Sequence, residues 1–287
     1  MAYERCVIFG AGEYYEGPAP AIEKGMLAIA ADGGLDHMRA MGLSPDFVIG
    51  DFDSLSGDVP DGDSSVRLPP QKDDPDLLSA LKVGWSRGAR EFHIYGALGG
   101  RIDHTIANMQ LMALLASHGG IGYLYGDGSI VTAIADGALE FPANHVAPRR
   151  MISVFSHSDV CHGVTIAGLK YVLEGAALAN TVVQGVSNEF VDGSAATVSV
   201  ESGTLIVTFP IEAPLPEVRL RHPFGGDLGA LDTAVSSAPA VRNASHRIAA
   251  GCTDIFVSVN GIWPFYAQSK RDTVALVQTA HYSRHCW

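Results

Sequence analysis

The chain has 287 residues, of which 47% are hydrophobic and 17% charged, which is typical of a globular protein of more than one domain and excludes a disordered chain. Its formal net charge of −12 excludes broad binding to DNA or RNA, because an acidic surface repels phosphate backbones. The four cysteines form no CxxC pair and no apolar run approaches the ~20 residues of a membrane helix, so we expect a soluble cytoplasmic protein without a zinc site or disulfides.

The first half of the chain alternates between short apolar strands and helices. Strands are predicted at residues 6–9, 26–31, 47–49 and 92–95. Helices are predicted at residues 35–41, 76–85 and 102–117. Strands that alternate with helices form βαβ units, so the pattern predicts an α/β domain with a mainly parallel sheet over residues 1–140.

The second half has short strands rich in Val, Ile and Thr, separated by turns that contain Gly, Asn or Asp. Examples are residues 151–155, 164–166, 196–200 and 205–209. Ser202-Gly203 between the last two is a hairpin signal. This pattern predicts a C-terminal antiparallel β-sandwich over residues 141–210. For the tail at 211–287 the sequence predicts neither fold nor function, and both a disordered tail and an altered C-terminus stay open.

Three acidic clusters lie in turns beside these elements. Gly50-Asp51-Phe52-Asp53-Ser54 ends a strand, Lys72-Asp73-Asp74-Pro75-Asp76 opens a helix, and Gly99-Gly100-Arg101-Ile102-Asp103-His104 joins a strand to a helix. Ligands of open α/β sheets bind at the carboxyl ends of the strands. Carboxylates that meet there repel each other unless a cation lies between them, and oxygen ligands combined with substrate phosphates suit Mg²⁺. Our working hypothesis is a Mg²⁺-nucleotide enzyme.

Each cluster also has a purely structural interpretation. The aspartates at 51 and 53 are typical of an Asx turn, and Asp76 and Asp103 are typical of helix first turns. Against this, Lys72 can reach a phosphate and Arg101 offers a fork of donors. Asp32-Gly33-Gly34 adds another acid at a strand end. The coincidence of such turns at four strand ends favours the functional interpretation.

Taken in order, the motifs between residues 6 and 209 resemble the thiamine pyrophosphokinase family. In the first half the resemblance covers the three acidic clusters together with Asp32-Gly33-Gly34, Pro45-Asp46, Ala80-Leu81, Gly96-Ala97-Leu98 and Ala107-Asn108. In the second half it rests on Gly168-Leu169-Lys170-Tyr171 and Gly185-Val186-Ser187-Asn188-Glu189. Several linked motifs in order are more specific than any one of them.

The resemblance implies transfer of a pyrophosphoryl group from ATP to thiamine by a homodimer with active sites at the subunit interface. It implies that Mg²⁺ is bound by Asp51, Asp53, Asp76 and Asp103. The implied catalytic residues are Asp53, Asp76, Asp103 and Arg101. The implied nucleotide contacts are Asp32, Gly33, Asp51, Lys72, Asp73, Gly99, Gly100 and Arg101. Ser187 and Asn188 are implied to reach thiamine from the partner subunit.

The chain departs from the family pattern at Pro75, where the family usually has Thr. We identify no equivalent of the tryptophan that some members place near the thiamine ring, since Trp85 lies in an N-terminal helix and Trp263 and Trp287 lie in the unmatched tail. Two rival functions stay open. One is a pyrophosphokinase for another heterocyclic alcohol, such as a pterin. The other is a non-catalytic sensor of thiamine or of a nucleotide.

Overall fold

Two β-sheets and three helices make up the part of the chain that the structure, a computed structural model, describes: residues 2–16, 20–52, 64–69, 74–145 and 150–232. The helices are α1 (Gly34–Ala40), α2 (Asp76–Ser86) and α3 (Ile102–Ser117). The strands are β1 (Arg5–Phe9), β2 (Leu27–Ala31), β3 (Phe47–Gly50), β4 (Ser65–Arg67), β5 (Glu91–Tyr95), β6 (Ile121–Tyr125), β7 (Ser129–Ala135), β8 (Gly137–Phe141), β9 (Met151–Ser156), β10 (Val160–Ala167), β11 (Leu173–Ala179), β12 (Asn188–Glu189), β13 (Ala196–Ser199), β14 (Thr204–Pro210) and β15 (Glu217–Leu220).

The larger sheet is mixed and has ten strands in the order β12-β9-β14-β7-β6-β5-β1-β2-β3-β4. The six strands from β6 to β4 in this order pair in parallel, and the remaining four join antiparallel. Every residue of β2 is buried, as is typical of a parallel strand covered on both faces. The predicted parallel sheet is therefore confirmed.

Helices cover both faces of the parallel strands. α2 and α3 pack on one face, where Leu81, Phe92 and Leu115 are fully buried in a shared core. α1 packs on the other face through Leu35 and Met38. Among the described helices, none combines the length and the apolar character that crossing a membrane requires.

The smaller sheet is antiparallel, with the order β11-β10-β13-β8-β15. Its inner side chains share a core with the antiparallel part of the larger sheet. Phe141 lies at the centre of this core, with edge-to-face contacts to Phe190 and Phe209. The two layers agree with the predicted antiparallel half, but the larger sheet runs continuously from one half into the other. The division at residues 140 and 141 stays a prediction.

The predicted hairpin at Ser202-Gly203 is wrong. β13 pairs with β10 and β8 in the smaller sheet, whereas β14 pairs with β7 and β9 in the larger one. Gly203 has a φ of +112°, so this turn carries the chain between layers. A two-residue glycine turn has the same sequence signature whether the strands that flank it pair or separate.

Residues 211–232, for which the sequence predicts no fold, include a strand. β15 pairs antiparallel with β8 from Glu217 to Leu220. Leu228 is only 8% exposed and belongs to the core beneath α2 and α3. Residues 233–287 lie outside the described residues.

Gly34 begins α1 where this helix meets β1. A Cβ at residue 34 would overlap the carbonyl oxygen of Phe9. We expect Gly34→Ala to lower the free energy of unfolding by about 3 kcal/mol, because neither backbone segment can move without disturbing the sheet. Gly225→Ala is the matched control, since a Cβ there meets no atom within 4 Å. Urea denaturation measures both, and equal stability of the two variants would contradict this account of Gly34.

Candidate active site

A cleft of about 820 Å³ lies at the carboxyl ends of β1, β2 and β5, where α2 and α3 begin. Sequence-predicted site residues in its lining are Asp32, Asp76, Gly99, Gly100 and Arg101. The convergence of distant strand ends follows from the parallel sheet, because parallel strands present their carboxyl ends at one edge.

The floor of the cleft is formed by two glycine turns in direct contact. The backbone N–H of Gly12 donates to the carbonyl of Gly96 at 2.9 Å, which joins the turn after β1 to the turn after β5. A Cβ at Gly10 would lie 2.7 Å from the Gly96 carbonyl oxygen, and one at Gly12 would lie 2.6 Å from it. Only glycine allows the two backbones to approach so closely.

Asp32 lies at the end of β2 in the left-handed backbone region, with a φ of +48°. Its backbone N–H donates to the carbonyl of Ile49 at 2.8 Å. A Cβ at Gly50 would lie 3.0 Å from the Cα of Asp32, so the ends of β2 and β3 are packed together. Asp51 follows directly. The structure thus places Gly50, the residue before Asp51, against Asp32.

The first turns of α2 and α3 both line the cleft. α2 contributes Asp76, which is partly buried, and α3 contributes His104. Asn108, 8% exposed, donates from Nδ2 to the carbonyl of Ala97 at 2.7 Å and so holds the loop before α3. Two helix N-termini with unsatisfied backbone N–H groups, directed at one cleft, favour a bound anion.

Arg101 and Asp103 form a two-pronged ion pair at the rim of the cleft. Nε of Arg101 donates to Oδ1 of Asp103 at 3.1 Å, and a terminal nitrogen donates to Oδ2 at 2.5 Å. The side chains are 72% and 61% exposed. The hydrogen bond from Arg101 lowers the pKa of the Asp103 carboxyl from 3.8 to about 2.

This pair predicts an unusually acidic titration. Because the folded pKa of Asp103 is depressed, the pair contributes above pH ~4 and is lost as the pH falls towards 2. In Arg101→Gln we expect the midpoint of Asp103 to rise towards ~3.9, its value in a free peptide. Carboxyl ¹³C NMR follows the titration, and an unchanged midpoint in Arg101→Gln would show that the pair does not form in solution.

An aromatic wall of the cleft was not found by sequence reasoning. Tyr14 donates from its hydroxyl to the carbonyl of Gly10 at 3.0 Å, and its ring stacks on His37 with centroids 4.2 Å apart. Tyr15 donates to Oε2 of Glu13 at 2.6 Å. All four side chains line the cleft. The only signal for Glu13, Tyr14 and Tyr15 was their position directly after Gly10-Ala11-Gly12, a turn too common to be informative.

Several predicted site residues cannot be placed in the cleft. Asp53, Lys72 and Asp73 lie outside the described residues. Within the described ranges, no group of three or more His, Cys, Asp or Glu side chains is close enough together to hold a metal ion. The predicted magnesium ligands therefore stay a prediction.

Ser187 and Asn188 lie in the second half of the chain, and neither lines the cleft of its own chain. Ser187 is exposed, with a φ of +58°. Asn188 is 6% exposed, and its amide accepts from the N–H of Tyr171 at 3.0 Å and donates to the Tyr171 carbonyl at 2.7 Å. The side chain of Asn188 thus ties β12 to the turn at Tyr171. Its predicted contact with thiamine stays a prediction.

The cleft lies at the carboxyl edge of parallel strands and is reached by two helix N-termini, the arrangement of α/β proteins in which a site favours anionic ligands. Comparison with known families is more specific. The model "Thiamin pyrophosphokinase, catalytic domain" matches residues 20–120, and "Thiamin pyrophosphokinase, vitamin B1 binding domain" matches residues 140–205. Together they cover more than half of the chain, which belongs to the thiamine pyrophosphokinase family. The resemblance inferred from the motifs is confirmed.

Individual relatives agree. The chain is 26% identical over 186 residues to a thiamine pyrophosphokinase of Bacillus subtilis (strain 168). This match covers 63% of this chain and 86% of the relative. The crystal structure of thiamine pyrophosphokinase from Bacillus subtilis matches with a TM-score of 0.63 and 23% identity, over 72% of this chain and 99% of that one. The crystal structure of thiamin pyrophosphokinase from Geobacillus thermodenitrificans matches with a TM-score of 0.60 and 22% identity, over 74% of this chain and 99% of that one. These structures share the fold.

Proposed function

We propose that the protein transfers a pyrophosphoryl group from ATP to the hydroxyethyl oxygen of thiamine, giving thiamine diphosphate and AMP. The observation that carries the proposal is the match of both halves to the two domains of one enzyme family, in the order the motifs predict. Residues 1–140 would supply the nucleotide site, and residues 141–210 the thiamine site.

The cleft lining supports binding of the ATP phosphates. The N-termini of α2 and α3 direct backbone N–H groups and positive dipole ends at the cleft. Gly99 and Gly100, with φ of +84° and +61°, allow the backbone to approach the phosphates without side chains in the way. Asp32, Gly33 and the undescribed Lys72 and Asp73 complete the proposed nucleotide contacts.

The donor set at these strand ends suits Mg²⁺. Asp76 lines the cleft, and Asp51, Asp53 and Asp103 are the further ligands in the proposal. Mg²⁺ is usually held by one or two carboxylates together with substrate phosphates, so the fit does not depend on a preformed cluster of three protein ligands. Bound with the nucleotide, Mg²⁺ would neutralise negative charge on the phosphate oxygens.

Arg101 is the proposed stabiliser of the charge that develops as AMP leaves. Its pair with Asp103 is exposed to solvent, where water and salt screen the attraction between the two charges. Arg101 can therefore exchange Asp103 for a phosphate at little cost. A guanidinium that already lies at the rim, beside the α3 N-terminus, needs only a side-chain rotation to reach the bound triphosphate.

We propose that thiamine is bound between two subunits of a homodimer. All cleft-lining residues of the described chain lie between Gly10 and Asn108, so the second half contributes nothing to its own chain's cleft. Ser187 and Asn188 would then serve the cleft of the partner subunit. Val182, Val183 and Val186, which are 51%, 78% and 46% exposed, form an apolar segment beside them that a dimer would cover.

A cytoplasmic location is part of the proposal. The two described cysteines, Cys6 and Cys161, are free thiols, as is usual in a reducing compartment. Fractionation of cells that express the full chain would place it, and recovery in a secreted or membrane fraction would refute this part.

The experiment that tests the proposed function incubates the full chain with ATP, Mg²⁺ and either thiamine or a hydroxymethylpterin. We expect equal amounts of AMP and thiamine diphosphate, no product from the pterin, and no turnover after EDTA treatment until Mg²⁺ is restored. Product from the pterin alone would assign the rival pyrophosphokinase activity. Binding of thiamine by calorimetry without any turnover would identify a sensor.

A further inference from the structure

Residues 221–231, here called the C-terminal strap, leave β15 and cross the helices of the α/β half. The strap begins at the C-terminal end of α3, where Phe224 packs on Gly119. Leu228 is 8% exposed and Leu231 partly buried, both against the core formed with α2 and α3. The strap lies outside both family matches, which end at residues 120 and 205.

Lys82, on α2, joins the strap to the start of its own helix. Nζ of Lys82 donates to the carbonyl of Ala230 at 2.9 Å. The same nitrogen forms an ion pair with Oδ2 of Asp74 at 2.5 Å. The side chains of Lys82 and Asp74 are only 11% and 17% exposed, so water screens this pair far less than a surface pair.

Asp74 stands immediately before the part of α2 that lines the cleft. Pro75 and Asp76 follow it, and both are lining residues. Pro75 is the N-cap residue of α2 and provides no side-chain hydrogen bond to the helix. The Lys82–Asp74 pair restrains the chain two residues before Asp76. Its loss would leave Asp74 partly buried without the Lys82 ammonium, and the segment would have to move to rehydrate the carboxylate.

We propose that the C-terminal strap, acting through Lys82, positions the Asp74–Asp76 segment at the cleft. Lys82 is a positioning residue: it contacts neither substrate nor the reacting atoms. Packing of the strap fixes the position of the Ala230 carbonyl. This carbonyl and the Asp74 carboxylate both bind the Lys82 ammonium. Through Asp74, the ammonium in turn restrains the segment that carries Asp76. The consequence for Mg-ATP rests on the proposed function.

The test compares variants of the full chain by their Michaelis constants. In Lys82→Met and Leu228→Ala we expect the KM for Mg-ATP to rise about tenfold and the KM for thiamine to stay within twofold, since only the nucleotide side of the cleft is displaced. Lys82→Arg, which keeps the charge, should recover most of the loss. Arg221→Gln removes an exposed ion pair to Glu201 at the start of the strap and is the matched control, with both constants unchanged.

A double variant tests whether the strap acts through Lys82. Adding Leu228→Ala to Lys82→Met should raise the KM for Mg-ATP less than twofold further, because both changes break one chain of contacts. A KM for Mg-ATP in the double variant that rises by the product of the two single-variant increases would overturn the proposal. So would a lower thermal stability with both Michaelis constants unchanged, because that result describes a purely structural strap.

Hydrogen exchange tests the same coupling without turnover. Peptide 74–81 should exchange faster in Leu228→Ala than in the unaltered chain or in Arg221→Gln. Unchanged exchange in this peptide would overturn the proposal. Failure of the unaltered chain to form AMP would count against the proposed function alone, since the exchange result is independent of it. If Lys82→Met does not fold, the Michaelis constants and the exchange of peptide 74–81 are measured in Lys82→Arg and Leu228→Ala instead.

Discussion

Asp76→Asn is expected to lower kcat about 1,000-fold while the protein stays folded. Asparagine keeps the size of the side chain in the first turn of α2 but removes the negative charge that the proposed Mg²⁺ site requires. Losses of this size are usual when one charge-stabilising group of a preorganised site is removed. The helix loses only a favourable dipole interaction of about 0.3–1 kcal/mol. AMP release with saturating thiamine and Mg-ATP measures the effect.

Asp36→Asn is the matched control for this prediction. Asp36 also lies in the first turn of a helix and is 32% exposed, but it pairs with Arg39 and does not line the cleft. Its turnover should stay within twofold of the unaltered chain. If Asp76→Asn keeps its turnover and has a melting temperature like that of Asp36→Asn, the assignment of Asp76 to the active site is wrong.

Asn188→Ala is expected to raise the KM for thiamine at least tenfold and to leave the KM for Mg-ATP within threefold. The substitution deletes a buried amide that holds the Tyr171 backbone, and the surface beside Ser187 loses its shape. The free energy of unfolding should also fall by about 1–3 kcal/mol, so kinetics are measured well below the melting temperature. Asn180→Ala, an exposed asparagine of the same half bonded to Asp159, controls for general effects. A larger change in the KM for Mg-ATP than in that for thiamine would contradict the assignment.

Mixing the Asp76→Asn and Asn188→Ala variants tests whether the active site is shared between subunits. When Asp76→Asn and Asn188→Ala subunits are unfolded and refolded together at low thiamine, half of the dimers contain one of each. Each mixed dimer has one site without a substitution if Asn188 serves the partner's cleft, so about a quarter of the activity should return. No recovery would place Asn188 in the site of its own chain or show that the protein is not a dimer.

The sequence predicted the parts of the fold that local pattern determines. The helix predicted at residues 102–117 has those bounds in the structure, and β1 and β3 differ from prediction by one residue. Buried parallel strands and capped helices carry strong local signals. Ile106, an apolar residue of α3, is nevertheless 49% exposed. Periodicity alone does not show how much of a helix the neighbouring elements cover.

For the candidate site, the sequence indicates which residues lie at strand ends that the topology brings together, but not which residues meet through long-range contacts. Asp32, Asp76 and Arg101 meet at one cleft because parallel strands end at one edge. Tyr14 and His37 meet only through packing of the β1 turn on α1, which no local motif encodes. Lys82 and Ala230 are 148 residues apart, and the segment that carries Ala230 has no periodic pattern. Such a contact becomes visible only in three dimensions.

The most direct measurement is a crystal structure of the full chain with Mg²⁺ and α,β-methylene-ATP. In this analogue a methylene group replaces the oxygen between the α- and β-phosphates, so the bond that breaks when AMP leaves cannot be cleaved. The account predicts the triphosphate at the N-termini of α2 and α3, with Mg²⁺ about 2.1 Å from a carboxylate oxygen of Asp51 or Asp76. A nucleotide bound elsewhere would contradict it. One such place is the cavity of about 600 Å³ lined by Arg5, Arg90 and Glu217 at the opposite edge of the sheet.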